Sequence, residues 1–278
     1  MGRFHGIATA RASIMSVLRH PVAFARVAFF WSLVHAAIFV GHAVYRSLVT
    51  ATPLDIATDI VFLHRPDQYR LESVLTTIPD VLASLSVAIW WTRFFLNGAL
   101  PKWWISVPNG SARYFSRELI IGFGAIAAIV PGAFLAGTVA GHFATDSQKA
   151  LGFAVIGVNA IIVAYGMARL WLIFPAIALG DSLSFSDSFR LTRRAAGGLW
   201  LATVIVYLTF LVPAFATDLL SDYAPMLDQR FFTGWPSDVV AIGLTTISFL
   251  FVLAVAAAGA AVTALLYRDR VLQERAAQ

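Results

Sequence analysis

The chain has no cysteine among its 278 residues, which excludes disulfides, thiolate nucleophiles and cysteine-based metal sites. Charge is scarce as well. Asp, Glu, Lys and Arg make up 13% of the residues, against about a quarter in soluble domains. Lysine is nearly missing: Lys102 and Lys149 stand alone among 20 basic residues, the rest being arginine. That bias, together with abundant alanine and glycine, points to a GC-rich bacterial genome and hence to a bacterial inner membrane. Several motifs are absent too. There is no phosphate-binding loop, no nucleotide fingerprint, no G-x-S-x-G elbow and no HExxH pair, and no nucleic-acid-binding signature interrupts the apolar runs. No metal or cofactor is expected, and the reading leans away from an enzyme.

What fills the chain is apolar, at 59% hydrophobic residues. A helix rising about 1.5 Å per residue needs roughly 20 mostly apolar residues to cross a hydrocarbon layer of about 30 Å. Six stretches qualify: 27–49, 81–97, 119–141, 151–174, 199–217 and 239–267. The expected fold class is all-α, a polytopic membrane protein of six transmembrane helices with short interfacial amphipathic helices. Residues 1–278 then read as a single integral membrane domain. The connections, the longest near 50–80 and 98–118, are too short to build a soluble core. The first apolar run starts near Val27 and outlasts a signal h-region of about 7 to 15 residues, so no cleavage is expected.

Charges sort by connection. Arg3, Arg11, Arg19, Arg26, Arg93, Lys102, Arg113, Arg117, Arg169, Arg190, Arg193, Arg194, Arg268, Arg270 and Arg275 fall on one side of the six spans. Only Arg46, Arg65, Arg70, Lys149 and Arg230 fall on the other. The positive-inside rule makes the first side cytoplasmic, with both termini there. Asp55, Asp59, Asp67, Glu72, Asp80, Asp146, Asp218, Asp222, Asp228 and Asp238 lie opposite, an independent check. A net charge of +5 in such a chain reports orientation and attraction to anionic lipid.

A repeat is visible. Trp90 to Phe95, then Arg113 and Arg117, then a helix containing Pro131 parallel Met167 to Trp171, then Arg190, Arg193 and Arg194, then a helix containing Pro213. Both run in the same sense, as parallel repeats do. The tail Tyr267 to Arg270, joined to Ser13 to His20, would make a third, circularly split unit. Ser182 to Ala196 sets Leu183, Phe185, Phe189 and Leu191 among Asp187, Arg190, Arg193 and Arg194, the pattern of a helix lying in the interface. Ala10 to Arg19 and Trp103 to Phe115 follow it more weakly. Trp31, Trp90, Trp91, Trp103, Trp104, Trp171 and Trp200 gather near the basic boundary as interfacial anchors, with Trp235 opposite.

The stretch from Arg169 through Pro175-Ala-Ile-Ala, Gly180-Asp181 and Arg190-Leu-Thr to Gly198-Leu-Trp200 resembles the membrane-domain family of glycerophosphoryl diester phosphodiesterases and its stand-alone relatives. Leu266-Tyr-Arg-Asp-Arg270 fits the same pattern. The resemblance implies a six-helix membrane module and carries over no catalytic residue, because the phosphodiesterase of fused members is a separate soluble domain.

Ionisable and polar groups inside a membrane are costly and so mark candidate sites. Arg93 and Arg169 sit just inside the basic boundary at matching places in the repeat. They either bind lipid phosphate as bidentate donors or snorkel and pair with helix-end carbonyls or Asp181. With Arg190, Arg193 and Arg194 they form the expected lipid- or partner-binding set. Pro131 and Pro213, expected to break their helices near mid-membrane, and Asn159 are the residues of a pathway if one exists; helix packing in lipid uses the same residue types. His35 and His42 share a helix face, and with Asp80, His142, Asp218 and Asp222 would have to converge to make a metal or proton site. No Asp or Glu is expected near mid-membrane. The small-residue run Ala254 to Ala264 permits a close helix neighbour.

The leading expectation is a non-enzymatic module that binds anionic phospholipid or a partner membrane protein through a basic, Trp-rich cytoplasmic face. A small transporter or lipid flippase with a central site between the repeats is the alternative, and an intramembrane hydrolase a third.

Overall fold

The computed structural model describes residues 4–50, 70–101, 108–142, 146–223 and 237–272. Asp55, Asp59, Arg65, Asp67, Lys102, Trp103, Trp104, Asp228, Arg230, Trp235 and Arg275 lie outside the described residues, as do the side chains of His42, Arg46, His142 and Asp222. Among the described residues the chain is helical throughout, with no strand. In order come α1 (Gly6–Arg19), α2 (Pro21–Thr50), α3 (Arg70–Asn97), α4 (Ser111–His142), α5 (Asp146–Ala168), α6 (Ile173–Leu179), α7 (Phe185–Thr192), α8 (Ala196–Asp222) and α9 (Ser237–Tyr267). A π-helical turn, Arg268–Leu272, closes it.

Six of these helices hold 23 or more residues each and correspond to the six expected spans. Five stretches, Pro21–Gly41, Ser111–Gly132, Ile156–Leu179, Ala196–Ser221 and Val240–Val271, are long and apolar enough to cross a membrane. The protein is thus an all-α polytopic membrane protein. The sixth helix, α3, falls short of that standard because Asp80, Ser84, Ser86, Thr92 and Arg93 dilute its apolar face. Its burial explains how it tolerates them. Leu85, Ser86, Val87, Ala88 and Ile89 are buried in succession, more than a full turn, so protein surrounds this part of α3, whereas Ile78 and Leu82 stay exposed.

Two compact units emerge. One comprises Met1–Arg11, Asn109–Thr203 and Val262–Gln278; the other comprises Ala12–Pro108 and Val204–Ala261. In the second, α2 and α3 run antiparallel in steady register. His20 meets Phe94 at 5.3 Å between ring centroids, Phe24 meets Trp91 at 6.0 Å, and His35 meets Asp80 farther along. Trp91 corrects the expectation of an interfacial anchor: it is fully buried, and its Nε1–H donates to Ser16 Oγ at 3.3 Å. A buried indole needs an acceptor, which α1 supplies.

In the first unit α4 packs along α5, and the outward residues Ile120, Phe123, Ile126, Phe134, Ile161 and Ile162 remain exposed, as a lipid-facing surface requires. Neither Pro131 nor Pro213 breaks its helix, contrary to expectation: α4 and α8 continue through them. A transmembrane helix can absorb a proline where neighbouring groups satisfy or shield the freed carbonyls. Serine and threonine hydroxyls are engaged beside Pro213: Thr217 Oγ1 donates to the Pro213 and Ala214 carbonyls, and Ser248 Oγ donates to Ala214 at 3.0 Å.

Candidate functional site

The sequence from Arg169 to Trp200 builds a polar part of the first unit. α5 stops at Ala168, and the N–H groups of Arg169, Leu170 and Trp171 bond to carbonyls three residues back. This tighter winding has a cause. Pro175 has no N–H, and its ring would collide with the Trp171 carbonyl in a continuous α-helix. The expected span 151–174 therefore divides into α5 and the short α6. Gly180, at φ 84°, ends α6 in the left-handed conformation that a residue without a Cβ adopts cheaply, and its N–H meets the Ala176 and Ile177 carbonyls. α6 is almost wholly buried, and Phe174 packs on Tyr114 at 4.6 Å.

α7 follows as the expected amphipathic helix, shorter than Ser182 to Ala196. Ser184 caps it, accepting the Asp187 N–H at 3.0 Å while its hydroxyl donates to Asp187 Oδ2 at 2.6 Å. That reciprocal cap satisfies donors the first turn would leave open, and Asp187 also suits the positive end of the helix dipole. Ser188 and Thr192, one turn apart and both buried, flank the Arg169 carbonyl: Ser188 Oγ donates to it at 2.8 Å, and the single Thr192 hydroxyl hydrogen is shared between it at 3.0 Å and the Ser188 carbonyl at 2.8 Å.

Arg169 completes the joint. Its Nη2 donates to the Phe189 carbonyl at 2.7 Å, and its guanidinium carbon lies 3.3 Å from the centroid of the Phe189 ring. The half-buried Arg169 thus ties α5 to α7, the snorkelling and carbonyl-pairing alternative of its two sequence readings. Arg117 of α4 lies over the Phe185 ring at 4.8 Å. At the end of α9, Tyr267 Oη donates to Asp181 Oδ2 at 2.6 Å. Three helix ends therefore clamp the 180–192 segment. Sequence reasoning missed Ser188, Thr192 and the Tyr267–Asp181 bond; the Ser184-x-x-Asp187 cap and the four-residue spacing of Ser188 and Thr192 were the signals for the first two.

What the clamp leaves outward is cationic. Arg190 is exposed and pairs only one turn back, to Asp187 Oδ1 at 3.0 Å. Arg193 and Arg194 are exposed at the end of α7, and their side chains form no ion pair or hydrogen bond among the described residues. Arg11, Arg113 and Arg268, also exposed, belong to the same unit.

Arg93 lies elsewhere. It belongs to the other unit, half-buried near the end of α3, with its guanidinium 5.1 Å from the Trp90 ring centroid. Of the pathway residues, Asn159 lies against the helix step holding Pro131: a Cβ on Gly132 would fall 2.7 Å from Asn159 Cγ. Its Oδ1 is buried without a partner among the described residues. Pro213 belongs to the other unit. Of the His and carboxylate candidates, His35 and Asp80 meet, Nδ1 to Oδ1 at 2.9 Å. No group of three or more His, Cys, Asp or Glu able to hold a metal occurs among the described residues.

Comparison with protein-family models, with curated proteins and with solved structures returns no match.

Proposed function

We propose that this protein is a non-enzymatic module of a bacterial inner membrane, its termini cytoplasmic, that seats α7 among anionic phospholipid headgroups. Arg190, Arg193 and Arg194 face the phosphates, Phe189 enters the acyl boundary, and Arg169 holds the helix in place. One observation carries this reading: α7 is clamped through buried Ser188 and Thr192 while Arg193 and Arg194 stay exposed and unpaired among the described residues. An amphipathic helix with a basic face and an exposed phenylalanine is the arrangement that lies in a charged interface. Charge sorting along the sequence supports the orientation. The family resemblance of the 169–200 segment fits a membrane module without its own catalytic domain.

The test is native mass spectrometry of the full chain in nanodiscs holding phosphatidylglycerol and phosphatidylethanolamine. At about 1 kcal/mol per cation, the triple variant R190E/R193E/R194E should retain the anionic lipid at least about a hundredfold more weakly. Unchanged retention rejects the reading, and a co-purifying protein lost in the variant would replace lipid with a protein partner.

A further inference from the structure

Most hydroxyls buried in these helices are satisfied at home. Ser16, Ser32, Thr92 and Thr203 donate to carbonyls three or four residues back on their own helices. His35 is different. It lies on α2, 7% exposed, with Nδ1 2.9 Å from Asp80 Oδ1 on α3. Its ring lies parallel to that of Phe249 on α9, 4.0 Å between centroids and 2° between planes, and Phe39 closes another side at 4.7 Å. The second ring nitrogen, Nε2, is buried without a hydrogen-bond partner among the described residues.

The depth of this pair is set by helix geometry. His35 stands about 21 Å along α2 from Pro21, and Asp80 about 26 Å along the antiparallel α3 from Asn97. Both measures start from the arginine-bearing ends and are shorter than the roughly 30 Å of a hydrocarbon layer. Asp80 stands at the outer end of the expected span 81–97, and α3 itself begins eleven residues before that span, at Arg70, and runs through Pro79.

We propose that His35 and Asp80 form a proton-binding site inside the membrane, loaded at His35 Nε2. An ionised carboxylate only accepts hydrogen bonds, so the neutral ring carries its hydrogen on Nδ1 and leaves a lone pair on Nε2. Uptake places one proton on that lone pair. The ring becomes an imidazolium, Nδ1–H stays donated to Asp80, and release is the reverse, with no electron transfer. Along the chain, α9 carries no ionisable residue from Val240 to Leu266, and α2 carries His42 two turns on from His35. Asp80, its side chain 34% exposed, holds the Nδ1–H side of the ring, and the buried Nε2 lies on the other side. Such a site is the element that coupling to a proton gradient requires, a capacity beyond headgroup binding.

The experiment is ¹⁵N NMR of the full chain, labelled at its six histidines and held in nanodiscs, between about pH 4 and pH 9. His35 is assigned by its contact with labelled Phe249, and again by loss of its signal in H35Q. The expected result is conversion of Nε2 from unprotonated to protonated across that range, with D80N moving the midpoint by about one pH unit, a tenfold change in proton affinity. A ring that keeps one protonation state throughout, or a D80N midpoint equal to the unmodified protein's, overturns the proposal.

Discussion

Two neighbouring glycines at the start of α8 should respond to the same substitution with opposite signs. A Cβ on Gly198 would fall 2.7 Å from the Phe4 carbonyl oxygen and 2.9 Å from Phe4 Cδ1, where the chain enters α1. A Cβ on Gly197 meets nothing within 4 Å. Alanine replaces glycine in a helix interior with a gain of about 1 kcal/mol, somewhat less in a first turn. Gly197→Ala should therefore be neutral or stabilising by a few tenths to 1 kcal/mol. Gly198→Ala has the same propensity gain, but it must push backbone away from backbone by more than half an ångström to restore ordinary contact. Overpacking of this kind costs about 1 to 3 kcal/mol, so the net effect is a loss of about 1 to 2 kcal/mol.

Gly6→Ala strikes the same contact from the other side, its Cβ 2.6 Å from the Gly198 carbonyl oxygen. Because either change opens the same gap, the double variant should be no less stable than the worse single one by more than about 0.5 kcal/mol. Unfolding in mixed micelles followed by tryptophan fluorescence reads the stabilities, and proteolysis near Phe4 to Arg11 reads release of the segment. If Gly198→Ala matches or exceeds Gly197→Ala in stability, the argument from close backbone approach is wrong.

Two further outcomes concern the clamp on α7. Arg169→Ala removes a charge-assisted hydrogen bond and a ring contact, together about 2 to 4 kcal/mol, and should raise hydrogen exchange across 185–192 while α5 stays protected; unchanged exchange there would show that Ser188 and Thr192 suffice. Tyr267→Phe deletes a hydrogen bond to the Asp181 carboxylate, costing about 1 to 3 kcal/mol in the same unfolding assay; a change under a few tenths would mean that this bond adds nothing to the clamp.

The sequence alone determined the class of this protein and where its helices run. Length and apolarity of a segment are local properties, and a hydrocarbon layer selects on those properties with little reference to neighbours. The clustering of arginines and the amphipathic stretch around Arg190 were legible for the same reason. Helix ends were less so: Asp80 looked like the edge of a span because a charge in lipid is expensive, but α3 begins at Arg70, and Asp80 pairs with a histidine of α2. Proline likewise looked like a break at Pro131 and Pro213 and proved compatible with continuous helix.

Only the tertiary structure decided which polar groups meet. Asp80 and His35 are 45 residues apart, and Tyr267 and Asp181 are 86 apart. It also decided that Trp91 is core, not anchor, and that Arg169 holds α7 while Arg193 and Arg194 remain outward. A side chain's partner is a property of how helices pack, and a transmembrane sequence, apolar around most of each helix, carries little periodicity to specify that packing in advance.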